Sequence, residues 1–154
     1  STGRFELIIP EVESITPKAT RRVVFCSGKV YYDLLEAREV HGIMDIAIIR
    51  IEQLYPFPIA EYAGIINEYG HVSEIIWCQE EPLNQGAWYQ IKHRLQEPLE
   101  PHQQLYYAGR PGAAAPASGV FKVHLQQQQA LVEAALDINT EARKVRKPER
   151  TKRK

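Results

Sequence analysis

Short apolar runs alternate along most of the chain with segments whose apolar residues recur at helical spacing. Four of these runs show almost no polar alternation, which is typical of strands covered on both faces of a sheet. Strands are predicted at residues 22–26, 45–51, 72–78 and 105–108. Helices are predicted at residues 29–39, 59–69 and 86–95, and in a last segment where Phe121, Leu125, Val132 and Leu136 form one stripe. Strands and helices that alternate with short turns predict an α/β fold, a three-layer sandwich with a mostly parallel sheet.

The two ends of the chain depart from this alternation. Residues 1–20 include Pro10 and Pro17 and are predicted to be an extended lead-in from a preceding domain. Residues 21–137 are predicted to form the α/β domain, and residues 138–154 a basic, disordered tail.

The charge of the chain is unevenly distributed, although its net charge is zero. Residues 137–154 hold eight Lys and Arg against three Asp and Glu, so this end carries +5 and the remainder −5. Such a tail suits nucleic acid or an acidic partner, or it folds back on the acidic body. The composition favours the last alternative, a solubilising terminus, and binding of nucleic acid is not expected.

Composition narrows the class of protein. A chain of 154 residues with 44% apolar and 25% charged residues is ordinary for one soluble globular domain. No apolar run reaches the roughly 18 residues that cross a bilayer, so no membrane span is expected. Cys26 and Cys78 lie in strands predicted to be buried, and the five scattered histidines lack the spacing of metal ligands. We therefore expect a reducing compartment, no metal site and, because the chain begins at Ser1, a processed chain or a piece of a longer protein.

Ser27, Gly28 and Lys29 occupy the turn between the first buried strand and the first helix. This position in an α/β sheet offers free backbone N–H groups to an anion. The longer glycine-rich phosphate-binding motifs are missing, however. The simpler interpretation, which we favour, is that Ser27 caps the helix while Gly28 permits a tight turn.

Residues 77–88 carry the densest polar chemistry of the chain, between two tryptophans. Glu80 and Glu81 follow a predicted strand, but neighbouring residues of a strand point to opposite sides and are unlikely to act on one atom. Arg110, in the turn after the last strand, either grips a carboxylate or phosphate or forms an ion pair with Glu80 or Glu81. The segment is predicted to be a junction at a boundary with another domain or subunit. Its interface residues are predicted to be Trp77, Glu80, Glu81, Asn84, Gln85 and Trp88.

Five blocks of sequence resemble one family, in order along the chain. They are residues 25–36, 48–58, 77–88, 107–111 and 123–129. They closely resemble the C-terminal domain of the thiamine-dependent first component of the 2-oxoglutarate dehydrogenase complex. The resemblance implies a transketolase-like C-terminal domain in a homodimer, whose preceding domains bind thiamine diphosphate and Mg²⁺. It also implies that the full enzyme decarboxylates 2-oxoglutarate and passes the succinyl group to the dihydrolipoyl succinyltransferase component. This chain by itself is then expected to hold no catalytic residue and no cofactor.

The resemblance also suggests an effector site for acetyl-CoA or AMP. The glutamine of the family's Glu-Gln-Leu motif is Gln53 here, whereas Ala60 and Glu61 stand where some relatives have arginines. The effector-binding residues are predicted to be Ser27, Lys29, Gln53 and Arg110. Two alternatives remain open, namely a stand-alone module that binds a nucleotide or acidic metabolite, and the same domain of a 2-oxoadipate dehydrogenase. We expect a cytoplasmic location in a bacterium, or the mitochondrial matrix in a eukaryote.

Overall fold

The structure is a computed structural model, which describes residues 6–110, 112 and 120–138. The predicted basic tail lies outside these residues except for Ile138. Five strands and four helices follow one another, with a short 3₁₀ turn at Pro17–Ala19. The strands are β1 Ile8–Ile9, β2 Arg22–Cys26, β3 Ile46–Ile51, β4 Glu74–Pro82 and β5 Gln104–Arg110. The helices are α1 Val30–Val40, α2 Ile59–Glu68, α3 Trp88–Gln96 and α4 Val120–Ala135.

The strands form a single sheet in the order β1-β3-β2-β4-β5. Strands β2 to β5 are parallel, and β1 pairs antiparallel with β3. This arrangement confirms the predicted α/β sandwich. The chain passes from β2 to β3 on one side and then to β4 on the other, so the loops after β2 and β4 flank a switch point at the carboxyl edge of the sheet.

Alternate residues of each central strand fill two separate cores. Val24, Cys26 and Cys78 face α1 and α4, together with Leu34 and Leu131. The opposite face of the sheet packs against α2 and α3, through residues that include Phe25, Trp77, Tyr62, Ile91 and Leu95. All five residues of β2 are buried, which explains why its sequence lacks polar alternation apart from Arg22.

The lead-in belongs to this domain, so the predicted boundary at residue 21 is wrong. Ile8 and Ile9 pair with Ile51 and Arg50, and the Glu11 carboxylate accepts the backbone N–H of Ile48 at 2.7 Å. The carboxylate thereby replaces a neighbouring strand along the edge of β3. Arg38 of α1 holds it with two short hydrogen bonds of 2.5 and 2.7 Å, and both side chains are only 4% exposed. Residues 8–11 thus close one edge of the sheet.

The C-terminal boundary also moves, because Ile138 is 7% exposed and belongs to the core between the sheet and α1/α4. Across the described residues, no helix is both long and apolar enough to span a bilayer.

Candidate functional site

The turn after β2 differs from the predicted helix cap. Gly28 has a φ of +81°, a left-handed conformation that favours glycine, and Lys29 rather than Ser27 precedes the first residue of α1. No side chain caps α1, so the predicted capping role of Ser27 is wrong. Gly28 and Lys29 separate the Ser27 hydroxyl from the first helical N–H groups.

Strand β4 continues four residues beyond its predicted end and contains a bulge. Gln79 pairs with Gly109, whereas the next paired residue, Pro82, lies opposite Arg110. The bulge sends the two carboxylates to different places. Glu80 Oε1 accepts from Gln128 of α4 at 3.1 Å, and Glu81 lines a cleft on the other side. The pair therefore cannot act on one atom, as the alternation of strand side chains predicts.

Gln79 organises the loop that follows β4. Its side chain is buried and accepts hydrogen bonds from Trp77 Nε1 at 2.9 Å and from the backbone N–H of Trp88 at 3.2 Å. Its amide group donates to the carbonyl oxygens of Glu81 and Pro82, both at 3.1 Å. A Cβ on Gly86 would lie 2.5 Å from Gln79 Nε2, so this loop requires glycine there. One glutamine therefore connects the end of β4 to the beginning of α3.

A cleft of ≈ 320 Å³ opens at the switch point, between the loops that follow β2 and β4. Its lining is formed by Ser27, Gly28, Leu54, Tyr55, Trp77, Gln79, Glu81, Gln85, Gly86, Ala87 and Gln90. Among the residues that the structure describes, Glu81 is the only charged one in that lining. Amides, hydroxyls and aromatic rings surround the cleft, which suits a neutral polar group or a protein surface better than an anion.

Arg110 connects the carboxyl edge of the sheet to α4 instead of facing a ligand. It is 6% exposed, and its Nε donates to the carbonyl oxygen of Glu80 at 2.7 Å. Nη1 donates to His124 O at 3.2 Å and to Gln127 Oε1 at 3.0 Å. Nη2 donates to Gln128 Oε1 at 2.6 Å and lies 3.4 Å from His124 Nε2. Because its five N–H groups are engaged within the chain, Arg110 is not available to an effector, and its link to Glu80 uses the backbone rather than the carboxylate.

The other three predicted effector residues do not assemble around one point either. Ser27 lines the cleft, and so do Leu54 and Tyr55, which follow Gln53 in sequence. The Gln53 amide donates to the carbonyl oxygen of Pro56 at 3.0 Å. Lys29 is 84% exposed and lies 3.8 Å from the Glu80 carboxylate, outside the lining of the cleft. The structure therefore brings Ser27 near the segment that contains Gln53, but it does not collect the four residues in one site.

Both tryptophans of the predicted interface are covered by this chain. Trp77 is 1% exposed and Trp88 8% exposed, and the Trp88 ring lies 5.1 Å from the Tyr107 ring, centroid to centroid. Their selection as interface residues needs correction, because the chain's own fold covers both indole rings. Glu81, Asn84 and Gln85 are exposed, and Glu80 is half-buried. The predicted interface is thus reduced to these four polar residues.

The described residues offer little nucleophilic or metal-binding chemistry. Burial raises the pKa of the Cys26 thiol well above its usual value, and it raises the pKa of the Cys78 thiol to about 12. Both thiols are therefore protonated at neutral pH and are poor nucleophiles. Among the residues that the structure describes, no group of three His, Cys, Asp or Glu could hold a metal ion. With a single carboxylate and no cation in the lining of the cleft, these residues do not fit a metal-bound diphosphate cofactor.

Sequence reasoning missed three structural residues, of which Gln79 and Arg50 lie towards the carboxyl edge and Glu11 lies away from it. Gln79 resembled an ordinary loop amide, and Glu11 lay in a segment assigned to a linker. Arg50, at the carboxyl end of β3, lies 5.4 and 5.3 Å from the ring centroids of Tyr31 and Tyr32. For Arg50 the sequence did contain a signal, because a charged residue inside an apolar strand must find a partner when it is buried.

The fold identifies the class of domain. The structure is similar to a chain described as a split-gene transketolase in an inactive β4 tetramer, with a TM-score of 0.59 over 88% of this chain and 42% of that chain. The sequence identity is 13%, so the similarity concerns the fold alone. The chain is thus a transketolase-like α/β domain.

Sequence comparison gives the particular family. Residues 1–136 match the family of 2-oxoglutarate dehydrogenase C-terminal domains, and the chain belongs to that family. It is 52% identical to the 2-oxoglutarate dehydrogenase E1 component of Haemophilus influenzae over 134 aligned residues. The aligned residues make up 87% of this chain and 14% of that protein. The corresponding component of Azotobacter vinelandii is 48% identical over 139 residues, 88% of this chain and 15% of that protein. The chain therefore spans about a seventh of the length of these relatives.

Proposed function

We propose that the chain acts as the non-catalytic C-terminal domain of a thiamine-dependent 2-oxoglutarate dehydrogenase E1 component. The observation behind this proposal is the match of residues 1–136 to the C-terminal part of a family whose relatives are E1 components. In this proposal thiamine diphosphate and Mg²⁺ are bound by domains outside the chain. The chain itself contributes to a homodimer, and that homodimer transfers the succinyl group to the dihydrolipoyl succinyltransferase component. The names of the relatives favour 2-oxoglutarate over 2-oxoadipate as the substrate.

The carboxyl edge is the surface that we assign to the preceding domains or to the second subunit. Asn84 and Gln85 are exposed in a loop that Gln79 and Gly86 hold in a fixed conformation. Glu81 is exposed at the rim of the neighbouring cleft. A rigid loop with exposed amides and a carboxylate forms hydrogen bonds across a boundary at a low entropic cost. This surface accordingly supports assembly rather than chemistry.

The proposal is tested in the full-length enzyme with Glu81→Ala and Asn84→Ala together. Sedimentation velocity should show dimer dissociation at a concentration about tenfold higher than for the parent enzyme, since lost interface hydrogen bonds cost about 1–2 kcal/mol. At concentrations where the variant remains dimeric, kcat should be unchanged. Glu97→Ala, an exposed carboxylate that follows α3, is the matched control and should leave assembly intact. An intact dimer with slowed decarboxylation would contradict the assignment.

A second experiment addresses the isolated chain. Incubation of the 154-residue chain with 2-oxoglutarate, thiamine diphosphate and Mg²⁺ should release no CO₂, and measurable turnover would refute a non-catalytic role. Calorimetric titration with AMP and with acetyl-CoA tests the alternative of a stand-alone binding module. With Arg110 engaged internally, any effector would have to use Ser27, Gln53 and Lys29, and we expect no heat of binding.

A further inference from the structure

The C-terminal end of α4 turns the backbone back over the last turn of the helix. The N–H of Ile138 donates to Glu133 O at 2.8 Å, and the N–H of Asp137 donates to Ala134 O at 3.3 Å. Asp137 has a φ of +55°, so the two bonds and this conformation form a Schellman motif. Arg21 holds the Asp137 carboxylate at 3.1 Å. Ile138 consequently packs in the core between α4 and α1 instead of continuing along the axis of α4.

Ile138 is also one end of a groove of ≈ 450 Å³ between α1 and α4, which we call the α1/α4 groove. Apolar side chains that include Leu125 and Val132 line it, and Leu125 remains 53% exposed. Asp33, Glu36 and Glu133 contribute three carboxylates, and among the described residues the lining contains His41 but no Lys or Arg. Two of the carboxylates accept hydrogen bonds from the neutral amides of Gln128 and Gln129, which leave their charge in place. A groove that combines apolar side chains with three carboxylates suits a basic, extended segment of polypeptide.

The chain itself supplies such a segment directly after Ile138. Residues 139–154 contain eight Lys and Arg against two Asp and Glu, and they lie outside the described residues. They also lie beyond the family match, which ends at residue 136. From residue 138, five residues span at most about 17 Å when extended. The helix rises about 15 Å over the ten steps from Leu125 to Ala135, so residues 143–147 are within reach of the whole groove.

We propose that the α1/α4 groove binds the basic C-terminal segment of the same chain, with the Lys and Arg residues of 143–147 paired to Asp33, Glu36 and Glu133. Covalent attachment beside the groove gives the segment a high effective concentration there, which a separate basic partner would lack. The positive charge is then neutralised on the chain's own surface rather than by nucleic acid. The groove is on the α1/α4 layer, so this inference is independent of the function assigned to the carboxyl edge.

Zero-length carbodiimide cross-linking of the 154-residue chain, followed by peptide mass spectrometry, tests the proposal. At low salt, Lys144 and Lys147 should form isopeptide bonds with Asp33, Glu36 or Glu133. Because exposed ion pairs are screened, the yield should fall at least about threefold between about 20 mM and about 0.5 M salt. A mixture of ¹⁴N- and ¹⁵N-labelled chains distinguishes links within one chain from links between two copies.

Two triple variants carry equal changes in charge. The first variant combines Asp33→Asn, Glu36→Gln and Glu133→Gln. The new amides keep acceptor oxygens for Gln128 and Gln129, so the fold should persist, and circular dichroism would verify this. In this variant trypsin should cleave within residues 143–147 about threefold faster than in the parent at low salt. Glu61, Glu68 and Glu97 are exposed on the opposite layer, and their replacement by Gln should leave the cleavage rate unchanged. Equal cleavage rates in both variants, links to the opposite layer, or links only between two copies would each overturn the proposal.

Discussion

The two edges of the sheet handle polar groups in opposite ways. At the amino edge, Arg21 lies 2.9 Å from Asp45 and 3.1 Å from Asp137, while Arg22 lies 2.8 Å from Glu74. These ion pairs connect strands to the end of α4, and Arg22 also donates to the carbonyl oxygens of Ala134 and Ala135. At the carboxyl edge, by contrast, the buried Arg110 donates to carbonyl and amide oxygens rather than to a carboxylate. Glutamines 79, 127 and 128 hydrogen-bond there as well, and a cleft remains open.

This difference distinguishes the amino edge, whose ion pairs fix the fold, from the carboxyl edge, whose surface can bind a partner. Buried charges tolerate no missing counterpart, so the amino edge is fixed once α4 has docked. Amides are less costly to desolvate, and they can exchange partners between one chain and another. We therefore assign the fixed geometry of the domain to the amino edge and its contacts with other domains to the carboxyl edge.

Arg22→Ala should be the most damaging single change, because Arg22 is 8% exposed and provides the shorter of two arginine contacts to the Glu74 carboxylate. The change also removes a donor from the carbonyl oxygens of Ala134 and Ala135. Hydrogen bonds to a charged group contribute about 1.5–3 kcal/mol each, and Glu74 keeps Arg21 at 3.5 Å, so the free energy of unfolding in urea should fall by about 3 kcal/mol. Lys18→Ala, at an exposed position, is the control and should stay within about 0.5 kcal/mol of the parent. A loss no larger than that of the control would remove the distinction between the two edges.

The elements that the sequence predicts well are those whose environment is uniform along their length. Strands β2 and β3 are buried on both faces, and their uninterrupted apolar runs show it. The role of Glu11 was not predictable, because a carboxylate that completes the edge of β3 gains its partners only after residues distant in sequence have come together. Its surroundings, a valine and a second glutamate near two prolines, looked like a linker.

The position of the candidate site was predictable, but which of its residues are free to bind a ligand was not. The carboxyl edge follows from strand order alone, and the sequence placed Ser27, Glu80, Glu81 and Arg110 at the turns that form it. Which of them is free to bind a ligand depends on tertiary hydrogen bonds. Arg110 is engaged by α4, whose glutamines lie more than a dozen residues further along the chain.

Gly86→Ala tests whether Gln79 fixes the conformation of the carboxyl-edge loop. The added methyl group would lie 2.5 Å from Gln79 Nε2, and we expect a loss of about 2 kcal/mol of stability. In a Gln79→Ala background that amide is absent, so the same change should cost less by at least about 1 kcal/mol. Gly64, with open space around it in α2, supplies the control, since Gly64→Ala should be neutral or slightly stabilising. Strict additivity of the two changes would show that the contact does not hold the loop.

Alkaline pH should affect the two edges unequally. The buried thiols are those of Cys26, the last residue of β2, and Cys78, its pairing partner in the middle of β4, so both lie away from the amino edge. The arginines at both edges remain charged. Burial raises the pKa of Cys78 from 9.0 to about 12 in the folded chain, and it also raises that of Cys26. The unfolded chain releases these protons first, so stability is complete below pH 9.0 and falls as the pH rises towards 12. Each thiol adds a slope of up to about 1.4 kcal/mol per pH unit. Urea titrations under reducing conditions, between about pH 8 and 10, should show that Cys78→Ser flattens this fall and that the double variant with Cys26→Ser flattens it further. The smaller fall that remains near pH 10 belongs to tyrosines such as Tyr62 and Tyr107, because burial also raises their pKa. If the double variant loses stability as steeply as the parent, the alkaline sensitivity lies elsewhere, and the thiols do not distinguish the carboxyl edge from the ion-paired one.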